Sequence, residues 1–125
     1  MIFKLSKVFV ALAALTAVHA SVVLEKRQAN PVTCDYVLKP DVTVTPTDSE
    51  FNFVIGRALS IDVGGSIFNF GSTFTTNPDS TFNVENKISA DGKTAAETAA
   101  IITGWVGETK TGLAANWLVE SVSCV

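Results

Sequence analysis

Hydrophobic residues recur at alternate positions in three stretches of the chain and at helical spacing in two others. Val32, Cys34, Tyr36 and Leu38 share one side of residues 32–38, with Thr33, Asp35 and Val37 on the other. That period of two is the mark of a half-buried strand. Pro40 and Pro46 bracket a loop, and Thr47-Asp48-Ser49-Glu50 follows. Thr with Glu three residues later predicts a reciprocal cap at a helix start. Phe51, Val54, Ile55, Ala58 and Leu59 continue that helix at its own spacing, and Gly64-Gly65 closes it. Phe68, Phe70 and Phe74 then alternate, Asn77-Pro78-Asp79-Ser80 supplies turn residues, and Phe82, Val84 and Ile88 alternate against Thr81, Asn83, Glu85 and Lys87. These two runs predict a hairpin with the phenylalanines mostly in the core.

Asp91-Gly92 interrupts the pattern, and Thr94-Ala95-Ala96-Glu97 repeats the capping signature. Ala99, Ile102 and Val106, joined by Ile101 and Trp105, form a second helical stripe that Gly104, Gly107 and Gly112 loosen. A last strand over 115–124 carries Trp117, Leu118, Val119 and Val122. The two helix starts superimpose: Thr47, Glu50 and Val54-Ile55 match Thr94, Glu97 and Ile101-Ile102. The order β-α-β-β-α-β predicts an α+β fold of the ferredoxin-like kind, a four-stranded antiparallel sheet with two helices on one face. Its first and last strands are neighbours. Strict alternation would turn Trp117 and Val119 outward, so a bulge is expected near Ser121.

The front of the chain has a different texture. Lys4 and Lys7 precede an apolar run from Val8 to Val18, broken only by Thr16, and Val18-His19-Ala20 places small residues before Ser21. This is the layout of a signal peptide over 1–20, cut between Ala20 and Ser21, and the run is short for a membrane anchor. Residues 21–27 end in Lys26-Arg27 ahead of Gln28. That arrangement resembles the pro-site of small secreted fungal proteins matured by kexin-type proteases. The resemblance implies signal peptidase and a kexin-type protease as processing partners, an extracellular location, and one mature domain over 28–125. Some killer toxins and plant-associated effectors in that broad group share the split β-α-β fold, although they are richer in cysteine.

Charge and composition narrow the function. Nine basic and twelve acidic residues, less the four and one that precede Gln28, leave five and eleven, a net charge of −6 on 28–125. Nucleic acid and anionic membrane are poor partners for such a chain. The expected open sheet face, with Thr33, Asp35, Asn69, Thr73, Asn83, Glu85 and Lys87, lacks the aromatic platform on which RNA-recognition sheets stack bases. His19, the sole histidine, leaves with the leader. Cys34 and Cys124 have no Cys-x-x-Cys spacing, so no metal or other cofactor is expected. On an oxidising route they are expected to pair within the chain, the alternatives being free thiols or pairing between chains. No Asn-x-Ser/Thr acceptor occurs.

Three functions follow from these residues. The first is non-enzymatic binding of an extracellular or host partner, with Phe53, Trp105 and Trp117 as candidate contacts; packing under the second helix is the competing role for the tryptophans. The second is protease inhibition, from the resemblance of the fold to subtilisin-propeptide-like inhibitors. Those insert a C-terminal tail, whereas only Val125 follows Cys124 here, which leaves the loop 77–80. The third is a hydrolase whose acid–base groups would come from Asp35, Asp62, Glu85 and Glu120.

Overall fold

The computed structural model describes residues 30–125. The expected leader, the pro-segment and the processing residues Ala20, Ser21, Lys26, Arg27 and Gln28 lie outside them. In chain order the elements are β1 (Val32–Pro40), α1 (Asp48–Val63), β2 (Ile67–Thr76), β3 (Phe82–Ala90), α2 (Ala95–Thr103), β4 (Thr109–Thr111) and β5 (Asn116–Cys124). All strand pairs are antiparallel, in the order β2-β3-β1-β5-β4. The α+β class stands, and the strand count is corrected from four to five. Thr109-Lys110-Thr111 pairs with residues 116–118 and is too short to show an alternation of its own.

β1 alternates as its sequence demands, with Val32, Cys34, Tyr36 and Leu38 all buried. It is the central strand, flanked by β3 and β5. Cys34 lies opposite Cys124 and the two are joined by a disulfide, with Cα atoms 4.0 Å apart. The next pair outward, Thr33 and Val125, exchanges both backbone hydrogen bonds at 3.3 and 2.8 Å. The cysteines therefore occupy a non-hydrogen-bonded position, where opposed side chains come closest. Further along, Val37 pairs with Ser121 but Leu38 with Val119. Glu120 is the extra residue of a bulge, so Trp117 and Val119 face the core together with Val122 and Cys124. The expected bulge is present, one residue from its predicted place.

The core is aromatic at one end. Phe51 of α1 packs on Phe74 at 5.0 Å and edge-on to Trp117 at 4.9 Å, and Phe82 meets Trp117 at 5.6 Å. Each such side chain contributes about 1.5–3 kcal/mol through burial. Trp105, beyond the end of α2, is also buried and donates its indole N–H to Asp62 at 2.7 Å. Lys110 lies over its ring at 4.9 Å.

One predicted cap is present and the other is not. At α2 the Thr94 hydroxyl accepts from the Glu97 N–H at 3.1 Å, and the Glu97 carboxylate accepts from the Thr94 N–H at 2.8 Å. At α1, Thr47 holds the capping position but its side chain makes no capping bond. Glu50 is instead 4% exposed and turned into the protein. It accepts from the backbone N–H groups of Leu113 at 3.0 Å, Ala114 at 3.0 and 3.1 Å and Ala115 at 3.3 Å, and from the Trp117 indole at 2.9 Å. One carboxylate thus satisfies the loop between β4 and β5. Gly112 makes room for it: a Cβ there would strike the Glu50 carboxylate, with Ala115 O at 2.6 Å and Trp117 Nε1 at 2.9 Å.

Replacing Glu50 by Ala leaves three backbone donors and an indole unpaired in a buried site. We expect a loss of about 3 kcal/mol in urea unfolding. Combining it with Trp117→Phe should cost less than the sum of the two, because they share one hydrogen bond. Cys34→Ser with Cys124→Ser opens a loop of 90 residues and should lower stability by about 2–4 kcal/mol in the same assay.

Candidate functional site

The residues that alternate away from the core share one side of the sheet, which neither helix covers. Read across the strands, one row runs Thr73, Glu85, Asp35, Ser123, and the next runs Thr75, Asn83, Val37, Ser121. These eight line a groove of about 600 Å³. A second hollow of about 420 Å³ shares Thr73 and Glu85 with it and continues past Thr33, Phe70, Gly71 and Lys87. The two form one trough across the sheet.

The composition of this face needs a correction. Asn69 was expected on it and lies on the opposite side. The register between β2 and β3 slips between Asn69 and Gly71, and Gly71 takes a φ of 119°, open to glycine and strained for other residues. Asn69 is thereby turned inward. Its Nδ2 donates to Asn52 O at 3.0 Å, and its Oδ1 accepts from Asn86 at 2.8 Å and from the Gly71 N–H at 2.9 Å. Phe68 and Phe70 take the outer side, 56% and 44% exposed, while Phe74 beyond the bulge returns to the core. The exposed pair meets edge to face at 4.6 Å, and the Lys87 ammonium lies 5.0 Å above the Phe70 ring. An aromatic pair therefore stands where the sequence reading placed none. The lone glycine within a strand pattern was the available signal.

The four candidate carboxylates divide. Asp35 and Glu85 are direct cross-strand partners on the floor of the trough. Asp62 holds Trp105 on the helical side, and Glu120 sits at the bulge, so neither lines the trough. Asp35 and Glu85 lie side by side on one face of the sheet. Glycosidic cleavage needs carboxyl groups that flank the scissile bond, and this pair is better placed to accept hydrogen bonds. Burial pushes the Tyr36 hydroxyl well above its ordinary range, which unfits it for proton transfer near neutrality.

The other predicted contacts fall elsewhere. Trp105 and Trp117 are 2% and 0% exposed, so both serve packing and present no surface to a partner. Phe53 is half-buried on α1. The turn at 77–80 is tightly bonded: Asn77 N–H to Thr81 O at 2.8 Å, Ser80 N–H to Asn77 O at 3.1 Å, and the Thr81 hydroxyl to Asp79 at 2.6 Å. Val125 is pinned to Thr33. Among the described residues there is no group of three or more metal-ligating side chains, no free cysteine, and no helix long and apolar enough to cross a membrane.

The Thr81 hydroxyl and N–H, both donating to Asp79, hold its carboxyl below the usual range, helped by Lys39. A lowered folded value means that the turn has its full stability above the ordinary carboxylate pKa of about 3.9 and loses it as pH falls through the lower folded value. The protection of the Thr81 amide, taken relative to its intrinsic exchange rate at each pH, should therefore fall on acidification through that window. Asp79→Asn, which retains an acceptor without the titration, should abolish the acid-dependent step.

Comparison with protein-family models, curated proteins and solved structures finds no match.

Proposed function

We propose that this chain is an exported, non-enzymatic binding protein whose helix-free sheet face takes a neutral, hydroxyl-rich ligand, a strand of polysaccharide. The observation that carries the reading is the trough itself. Its groups are those that meet sugar hydroxyls: two carboxylate acceptors, the Asn83 amide, and the hydroxyls of Thr73, Thr75, Ser121 and Ser123. An exposed ring stands at one end to cover an apolar sugar face. Hydroxyl donors match carboxylate acceptors in charge-assisted hydrogen bonds, and the aromatic supplies contact area. Asp35 and Glu85 against Lys87 leave the trough with one excess negative charge, which disfavours anionic polymers.

Export rests on the leader-like and dibasic segments and is favoured by the disulfide, since such bonds persist in oxidising compartments. In the same reading, β1, β2, β3, β5 and the two helices follow the split β-α-β arrangement, with β4 added at the edge. Protease inhibition has less support. The 77–80 turn is a closed, internally bonded loop instead of an extended segment. Toxin-like or effector-like action would use the same face, with the sugar on a cell surface as the target.

Titration of the 28–125 protein with neutral glucan, mannan and chitin oligomers, followed by amide shifts, tests the proposal. At least one oligomer should move residues 33, 35, 70, 73, 83, 85, 121 and 123. Phe70→Ala should weaken that binding about tenfold without altering the melting temperature, and added salt should leave it largely intact. Absence of any shift at millimolar oligomer, or shifts confined to the helical side, would reject the sugar. Strong binding of a basic peptide that salt abolishes would assign the face to protein.

A further inference from the structure

We propose that β2 pairs with β2 of a second copy of this chain, joining two sheets into one across a two-fold axis at Phe74. β2 is an outer strand of the sheet, and no described residue pairs with its free edge. It is ten residues long, Ile-Phe-Asn-Phe-Gly-Ser-Thr-Phe-Thr-Thr, without a charge or a proline. Sheet edges are ordinarily guarded by lysines, prolines or short length, and beyond the bulge residues 72–76 have none of these guards.

The charge pattern selects a second copy as the occupant. The domain carries a net charge of −6 over 28–125, so most self-contacts bring like charges together. Residues 63–78 form an uncharged run from the end of α1 to the turn, bounded by Asp62 and Asp79. A copy of this chain can approach this edge without that repulsion.

The register follows from the hairpin. Asn77 donates to Thr81 O, and bonded and non-bonded pairs alternate away from that point. Thr75 and Thr73 are thus bonded to β3, while Ser72, Phe74 and Thr76 direct their N–H and C=O groups outward. An antiparallel two-fold through Phe74 sets Phe74 against Phe74, Ser72 against Thr76 and Thr73 against Thr75, with about six backbone hydrogen bonds. Phe74 is only half-buried although it belongs to the core cluster; the second Phe74 would cover its exposed side. On the open face Thr73 and Thr75, both exposed, become β-branched cross-strand pairs of the kind that stabilise sheets. The two binding troughs would then lie on one continuous surface.

Light scattering on the 28–125 protein across the micromolar range, with the disulfide intact, tests the pairing. The wild type should have the mass of two chains at high micromolar concentration and dissociate on dilution. Thr73→Lys with Thr75→Lys opposes lysines at both pairs and should give a single-chain mass with an unchanged near-ultraviolet spectrum. Thr73→Lys with Thr75→Glu opposes lysine to glutamate twice and should restore the doubled mass. A monomeric wild type at every concentration would overturn the proposal. A dimer indifferent to both pairs of substitutions would also overturn it, by placing the contact elsewhere. Phe70→Ala, which removes the ring of the trough and leaves residues 72–76 intact, should keep the doubled mass whether or not sugar binds, which separates this result from the ligand reading above.

Discussion

A single buried carboxylate holds the second half of this fold to the first. Glu50 leaves the first turn of α1 and gathers the backbone N–H groups of residues 113–115 and the indole of Trp117. Charge-assisted hydrogen bonds are about twice as strong as neutral ones, and the donors here would otherwise be orphaned against the core. The contact locates the start of β5. At its other end the disulfide locates Cys124 against Cys34. Between these two fixed points the strand has one residue more than alternation allows, and the bulge at Glu120 absorbs it. Trp117 can then seal the aromatic cluster while Cys124 still reaches its partner.

This division leaves one side of the sheet without structural duty. The helices, both tryptophans and the Glu50 contact all lie on the core side. The opposite face carries exposed Thr73, Thr75, Asn83, Glu85 and Asp35 and no buried hydrogen-bond network of its own. Opposed carboxylates such as Asp35 and Glu85 weaken a sheet slightly, and exposed phenylalanines are poorly solvated. Features that do not serve stability and cluster in a single hollow are those expected of a binding surface.

The sequence carried much of this, and where it fell short the causes are specific. The α2 cap was legible because Thr94 and Glu97 need only each other. The same spacing at Thr47 and Glu50 misled, because Glu50 bonds residues 63 to 67 positions away, and local spacing says nothing of distant competitors. β1 and β3 were legible in period and facing, which placed Thr33, Asp35, Asn83, Glu85 and Lys87 on the open side correctly. Phe68 and Phe70 share parity with Phe74 and so read as core residues, but a bulge reverses parity without changing composition. Ser121 and Ser123 were missed as trough residues for a related reason, since their facing depends on where the β5 bulge falls. β4 is too short to have a pattern at all.

In the proposed reading the core side sets the fold and the helix-free side sets the binding. A saturating substitution scan of the displayed 28–125 protein, read in parallel for protease resistance and for retention on neutral polysaccharide, separates the two. Substitutions at Asp35, Phe70, Thr73, Asn83 and Glu85 should lower retention while resistance persists, and substitutions at Glu50, Gly112 and Trp117 should lower both. Retention that follows resistance at every position, with no set of surface residues standing apart, would contradict that reading.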